Sequence, residues 1–248
     1  MLGKCMSRPI ALVTGGGRGI GAATSKRLAA DGYDILLTYY TSSKPAEMVV
    51  DDIRKTGADA LAVKVDCNDD GEVALLGIHP WMHRGIDALV LNHGRYQRVA
   101  AEEMTIDDLR STMKTNFEGA VGVWKAVQPH LTDNARIVVV GSQLGSRGSP
   151  HGADYSASKA ALAMWARSLA LAVGPQGKRV NILAPGFVDT AILAGDSKQK
   201  REEREQQVPL KRVASPEDMA GTISFLIGPD SSYITGAIIH VNGGLYLP

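Results

Sequence analysis

Seven short runs of aliphatic and β-branched residues recur along this chain of 248 residues, each divided from the next by a longer stretch of helical character. That rhythm excludes most architectures. Neighbouring strands joined through helices cannot pair as tight hairpins, so they lie parallel, with the crossover helices covering the sheet. The runs fall at residues 10–14, 35–39, 60–65, 86–91, 137–141, 180–184 and 238–241. The expected fold class is α/β, a doubly wound, mostly parallel seven-stranded sheet with helices on both faces. With 44% hydrophobic residues, the chain can fill such a core as one domain over residues 1–248. No internal repeat, low-complexity tract or Pro/Gly-rich linker divides it.

Two helix starts are written into the sequence. Thr105-Ile106-Asp107-Asp108 and Ser215-Pro216-Glu217-Asp218 each place a capping hydroxyl before acidic first-turn residues. Between Thr190 and Val208, the tract Lys198-Gln199-Lys200-Arg201-Glu202-Glu203-Arg204-Glu205 is charged nearly all round. It reads as a solvated helix or a mobile loop, and as either an inert face or a lid. A formal net charge of +1 with interspersed signs supplies no clustered basic face for nucleic acid, so a small molecule is the expected partner. Cys5 and Cys67 are too few for a disulfide framework and lack metal-ligand spacing with a histidine pair. Both are expected as reduced thiols, with no metal site. The apolar run Ile10-Ala11-Leu12-Val13, preceded by Lys4 and Arg8, is too short for a signal segment or a membrane span, and a cytoplasmic location is the expectation.

Two motifs carry chemistry. Thr14-Gly15-Gly16-Gly17-Arg18-Gly19-Ile20-Gly21 follows the first strand and opens a helix over residues 22–30. Glycines at a first βα junction permit a tight bend and close approach of backbone to a pyrophosphate, while the helix N-terminus attracts its charge. The spacing Gly15, Gly19, Gly21 departs from the generic G-x-G-x-x-G fingerprint. In Ala153-Asp154-Tyr155-Ser156-Ala157-Ser158-Lys159, a phenol and an ammonium four residues apart share one helix face. The ammonium is expected to lower the tyrosine pKa from its usual value of about 10, toward the range useful for proton transfer. Taken alone, the pair also fits a surface tyrosine beside a solvated lysine.

Together these motifs resemble the short-chain dehydrogenase/reductase family, over almost the whole chain. Asp66, Asn92-His93-Gly94, Asn116, Ser142 and Pro185-Gly186-Phe187-Val188-Asp189-Thr190 follow in that family's order. Gln207-Val208-Pro209-Leu210, and the tail from Tyr233-Ile234-Thr235-Gly236 to Asn242-Gly243-Gly244-Leu245-Tyr246, look most like its 3-oxoacyl-[acyl-carrier-protein] reductase branch. The resemblance implies a Rossmann-type domain that moves hydride between a nicotinamide cofactor and a carbonyl or secondary alcohol. Tyr155 would give or take the proton, Lys159 would tune it and hold the nicotinamide ribose, and Ser142 would polarise the carbonyl. Asn116 would support a water leading protons to Lys159. On the nucleotide, the resemblance implies Gly15, Gly19, Ile20 and Gly21 at the pyrophosphate, Asp66 with the Cys67 backbone at the adenine, and Asn92 and Gly94 along a ribose. Pro185 and Gly186 would turn the chain at the cofactor, with the Val188 backbone and Thr190 hydroxyl fixing the carboxamide. Where the family has Asn-Asn-Ala-Gly, this chain has Leu91-Asn92-His93-Gly94, which brings in an imidazole that is either packed, solvated or catalytic.

Cofactor preference can be read after the second strand, where a carboxylate would accept hydrogen bonds from a ribose 2′-OH and repel a 2′-phosphate. The chain has Thr38-Tyr39-Tyr40-Thr41-Ser42-Ser43-Lys44 there, with no carboxylate. Tyr40, Thr41 and Ser42, with Arg18, instead offer donors to a phosphate. NADP(H) is therefore expected over NAD(H). Acyl carrier protein would be a partner in the fatty-acid branch, but where that branch commonly has arginine this chain has Leu171 after Ser168-Leu169-Ala170. Alternative readings are a dehydrogenase of a sugar, polyol, steroid or other secondary alcohol, and a noncatalytic nucleotide-binding sensor. The family also implies a homotetramer, for which Trp124 and Trp165 are candidate anchors or core residues. Substrate choice is expected to lie with Gln143, Leu144, His151 and the charged tract.

Overall fold

Aliphatic strands that must be covered on both faces account for the architecture. The computed structural model describes residues 8–248. Its strands are β1 (Ile10–Val13), β2 (Asp34–Tyr39), β3 (Ala60–Lys64), β4 (Ile86–Leu91), β5 (Leu131–Val140), β6 (Arg179–Pro185) and β7 (Ile238–Val241). They form one sheet in the order β3-β2-β1-β4-β5-β6-β7, and every pairing is parallel. The helices are α1 (Gly19–Ala30), α2 (Ser43–Arg54), α3 (Asp70–Gly77), α4 (Ile106–Met113), α5 (Gly119–Val127), α6 (Leu144–Arg147), α7 (Ala153–Val173), α8 (Lys198–Gln207) and α9 (Pro216–Ile227).

Alternation along each strand sorts the core into two layers. Leu12, Leu36, Leu89, Ile137 and Val139 face Val123 and Val127 of α5 and Leu162 and Ala166 of α7. Their neighbours Val13, Ile35, Leu37, Val138 and Val140 face Leu28 of α1, Ile53 of α2 and Ile223 of α9. Both layers are closed to solvent, so truncating one of these leucines or isoleucines to alanine costs about 2–5 kcal/mol. Thr105 and Ser215 each form a full capping box with the aspartate three residues on.

Two details differ from the sequence reading. β5 begins at Leu131, six residues early, because Ile86 pairs with Leu131 before an irregularity lets Ala88 pair with Arg136; the polar Asp133 and Asn134 hid that first segment. The helix through Asn116 is not uniform, since Lys114–Glu118 forms a π-helical turn between α4 and α5. Trp124 takes the core alternative, buried and meeting Trp165 edge-on at 6.4 Å. Cys67 is a free thiol whose pKa burial pushes up to about 12, while Cys5 lies outside the described residues. Among the described residues, no helix is long and apolar enough to cross a membrane, and no cluster of metal-ligating side chains occurs.

β1 and β4 lie side by side although the chain leaves them in opposite directions across the sheet. A crevice opens at the carboxyl ends of such strands, and the candidate residues gather there.

Candidate active site

The turn after β1 is shaped by atoms that have no room to spare. Gly15 has φ +61°, and a Cβ on Gly21 would overlap the Gly15 carbonyl oxygen and lie 2.7 Å from the Asn92 amide nitrogen. A Cβ on Gly17 would lie 2.8 Å from that of Ala46, which seats the turn against α2. The Thr14 hydroxyl is the hub. It accepts the backbone N–H of Asn92 at 2.9 Å and of His93 at 3.2 Å, and meets His93 Nδ1 at 2.8 Å. Asn92 Nδ2 donates to the carbonyls of Thr14 at 3.0 Å and Gly15 at 3.2 Å. That side chain therefore braces the turn. The α1 N-terminus carries no side-chain cap, which leaves its first N–H groups for an anion. A pyrophosphate fits this cradle.

Arg18 is exposed at that N-terminus, as the N-cap of α1, and has no side-chain hydrogen bond among the described residues. In the loop leaving β2, Tyr40 is 54% exposed, Thr41 is exposed, and Ser42 is the N-cap of α2 without using its hydroxyl as a cap. Among the described residues their hydroxyls have no hydrogen-bond partner, and the loop presents no carboxylate. Asp66 Oδ1 accepts the Asn68 backbone N–H at 2.9 Å and its amide at 3.0 Å, a local turn that also places the residue at the end of β3.

On the other side of the crevice, Pro185 ends β6 and its carbonyl accepts the Gln143 N–H at 3.0 Å. Gly186 passes so close to Asn242 that a Cβ would lie 2.8 Å from it. Val188 is buried, and the Thr190 methyl lies 3.2 Å from where a Gly19 Cβ would stand. The segment after β6 thus returns to the glycine turn. A 480 Å³ cavity between them is lined by Gly19, Ala22, Thr190 and Ala191 among others. α8 is held over this segment by ion pairs, Arg201 to Asp189 at 2.8 Å and Arg204 to Asp196 at 2.5 Å, and by Arg204 stacked 4.6 Å above the Phe187 ring. The charged tract is a helix.

Tyr155 and Lys159 share one face of α7, with the ammonium 5.7 Å from the phenol ring. Lys159 Nζ donates to the Val140 carbonyl at 2.8 Å. Gly94, Asn116 and Lys159 converge, since a Cβ on Gly94 would stand 3.1 Å from Asn116 Oδ1 and 3.5 Å from Lys159 Nζ. Asn116 commits both amide protons, to the Arg95 carbonyl and the Ser158 hydroxyl at 3.0 Å each, and its Oδ1 accepts the Arg95 N–H at 2.8 Å. It clamps the loop after β4 onto α7. The Ser142 hydroxyl accepts the Leu144 N–H at 3.1 Å and stands near enough to the Tyr155 phenol to lower its pKa. Beside it, the buried Gln143 Oε1 has no hydrogen-bond partner among the described residues.

The electrostatics correct one expectation. Burial pushes the Tyr155 phenol up to about 12 rather than down, opposed by the nearby Ser142 hydroxyl and reinforced by Tyr96. The reason is geometric. The Lys159 ammonium faces the ring and is bound to a carbonyl, and burial lowers its own pKa to about 8. His93 is partly buried, and desolvation followed by the Lys159 charge brings its pKa down to about 4, so the ring is neutral at pH 7. Sequence reasoning missed the Thr14 hub, although Thr14 heads the glycine motif. It also missed Tyr96, whose hydrogen bond and ring contact are with residues more than fifty positions away.

Comparison with known proteins bears on the same residues. A family model described as enoyl-(acyl carrier protein) reductase matches residues 15–246. The chain is 32% identical over 240 residues to the 3-oxoacyl-[acyl-carrier-protein] reductase FabG of Staphylococcus aureus (strain Mu50 / ATCC 700699), covering 96% of this chain and 98% of that protein. It is 34% identical over 256 residues to the hydroxynaphthalene reductase-like protein Arp2 of Metarhizium acridum, covering 97% and 96% of the two. A short chain dehydrogenase from Burkholderia cenocepacia J2315, solved in complex with NADP, superposes with a TM-score of 0.89 at 36% identity, covering 96% of this chain and 97% of that one. A match this long, on a crevice built from the same ordered motifs, means that the chain belongs to the short-chain dehydrogenase/reductase family.

Proposed function

We propose that the protein is an NADPH-dependent carbonyl reductase, with Tyr155 as the proton donor. The observation that carries this reading is the convergence of Tyr155, Ser142 and Lys159 at the mouth of a crevice whose other wall is the glycine turn. Bound NADPH would supply the hydride. Gly15, Gly19, Ile20 and Gly21 hold its pyrophosphate, Asp66 and Cys67 lie toward the adenine, and Asn92 and Gly94 shape the ribose floor. Pro185, Gly186, Val188 and Thr190 close over the nicotinamide end. Arg18, Tyr40, Thr41 and Ser42 provide donors for a 2′-phosphate with no carboxylate to repel it. NADP in the crystal structure of the Burkholderia relative supports the same preference.

A phenol held near 12 is fully protonated at neutral pH, so Tyr155 begins the cycle able to donate. As charge develops on the substrate oxygen, Ser142 supplies a second hydrogen bond and Tyr155 transfers its proton. Lys159, charged below about 8, offsets the phenolate that remains. Asn116 acts through the clamp that holds Lys159 and Gly94 together. α8 closes over the site and excludes water.

The substrate is a carbonyl compound. Relatives described as reductases of 3-oxoacyl and hydroxynaphthalene substrates share this chemistry and differ in what they reduce. Docking of an acidic carrier protein is disfavoured by Leu171, which is 81% exposed where a cation would be useful. Exposed Met164 and Leu171 on α7, with Phe225 on α9, support assembly into a homotetramer. A spectrophotometric screen of ketones, diketones, quinones and acetoacetyl thioesters tests the reading. NADPH should be consumed with at least one carbonyl class, at a kcat/KM about tenfold or more above NADH. A clear NADH preference would refute the cofactor assignment, and absence of reduction with every carbonyl class would refute the function.

A further inference from the structure

Tyr96 has no part in the chemistry proposed above, yet it is fixed on three sides. Its hydroxyl donates to the His151 carbonyl at 2.6 Å. Its ring meets that of Tyr155 edge-on, with centroids 4.9 Å apart and planes at 77°. Gly152 beside it has φ +153°, and a Cβ there would lie 2.7 Å from Tyr96 Cε2. The entry to α7 is therefore shaped around this ring. Burial raises the pKa of its phenol, opposed by the charges of Arg98 and Arg204. Arg204 in turn lies flat over Phe187 at 4.6 Å, is pinned by Asp196 through two hydrogen bonds of 2.5 and 3.2 Å, and is only 14% exposed. The Tyr96 ring thus flanks Tyr155 directly.

We propose that Tyr96 is the specificity-determining residue of this reductase and that it selects ketones whose carbonyl is attached to a flat conjugated ring. This rests on the carbonyl-reductase reading. A planar π-system can meet the ring of Tyr96 beside the reacting phenol, whereas a saturated group of equal size presents axial hydrogens to it. Because Tyr96 is already locked, binding orders no further side chain. The reaction itself is unchanged. Hydride from NADPH forms the new C–H bond, the C=O π pair moves to oxygen, Tyr155 gives that oxygen its proton, and the cofactor leaves oxidised.

Acetophenone and cyclohexyl methyl ketone form a matched pair that differs in ring planarity. The wild-type protein should favour acetophenone in kcat/KM by about tenfold or more, and Tyr96→Leu should erase that ratio, mainly by raising the acetophenone KM. Tyr96→Phe keeps the ring and should hold the ratio within about threefold, which covers the case of a poorly folded leucine variant. Equal use of the two ketones by the wild-type protein, or a ratio untouched in Tyr96→Leu, would overturn the proposal. So would failure to reduce either ketone while an acetoacetyl thioester is reduced, an outcome that leaves the carbonyl-reductase reading intact. If no carbonyl compound is reduced, that reading falls, and Tyr96 with it.

Discussion

The two walls of the crevice are made of different material. On the β1 side, the surface is backbone, with Gly15 and Gly21 packed so closely that no side chain fits, and with Thr14 and Asn92 bracing the turn from within. On the α8 side, it is side chains from distant segments, including Tyr96 against His151, Arg204 against Asp196 and Phe187 on its guanidinium. A backbone wall recognises what every dinucleotide has and tolerates no change. A side-chain wall can be altered residue by residue while the fold survives.

The sharpest way to break this contrast is Gly21→Ala. The added methyl would overlap the Gly15 carbonyl, so NADPH affinity should fall by about 100-fold in a fluorescence titration, with the melting transition still cooperative. Wild-type affinity would show that the turn has slack. Lys159→Met separates stability from chemistry. Burial of the ammonium shifts its pKa from 10.5 to about 8, so the unfolded chain binds more protons between those values and stability falls as pH drops through that window. At pH 7 the variant should unfold later than wild type, by up to about 3 kcal/mol, while turnover falls by at least about 100-fold. In the wild-type protein the same group should make kcat/KM for reduction level below pH 8 and declining above it. A pH–rate profile still rising above pH 8 would remove Lys159 charge from the mechanism. The smallest contrast lies within α8. Arg204→Gln, which loses a largely buried pair and its stack on Phe187, should raise substrate KM severalfold, whereas Arg201→Gln, an exposed pair with Asp189, should be silent in the same assay. Equal effects would mean that α8 acts by its net charge alone.

What could be read from the sequence follows the same division. The strands, the glycine turn and both capping boxes depend on spacing within a few residues, and the structure contains them all. The charged tract declared itself a solvated helix or loop, and Arg201 and Arg204 settle it as a helix tied down to the β6 segment. Contacts across the fold were not legible. The four-residue spacing of Tyr155 and Lys159 put them on one face correctly, but the direction of the tyrosine shift depended on how deeply α7 is buried and on Val140, which claims the ammonium. That the Asn92 side chain also braces the glycine turn, through the Thr14 and Gly15 carbonyls, has no signal in the sequence. Tyr96 carries no motif at all, and its partners His151 and Tyr155 are brought to it only by the packing of α7.

Tyr155→Phe tests the central role most directly, because it removes one oxygen from a ring that stays packed against Tyr96. NADPH binding, followed by fluorescence, should remain within about threefold of wild type, while single-turnover reduction of any accepted ketone should slow by about 1,000-fold or more. A phenylalanine variant that binds NADPH normally and keeps more than about a tenth of the wild-type rate would place the proton donor elsewhere.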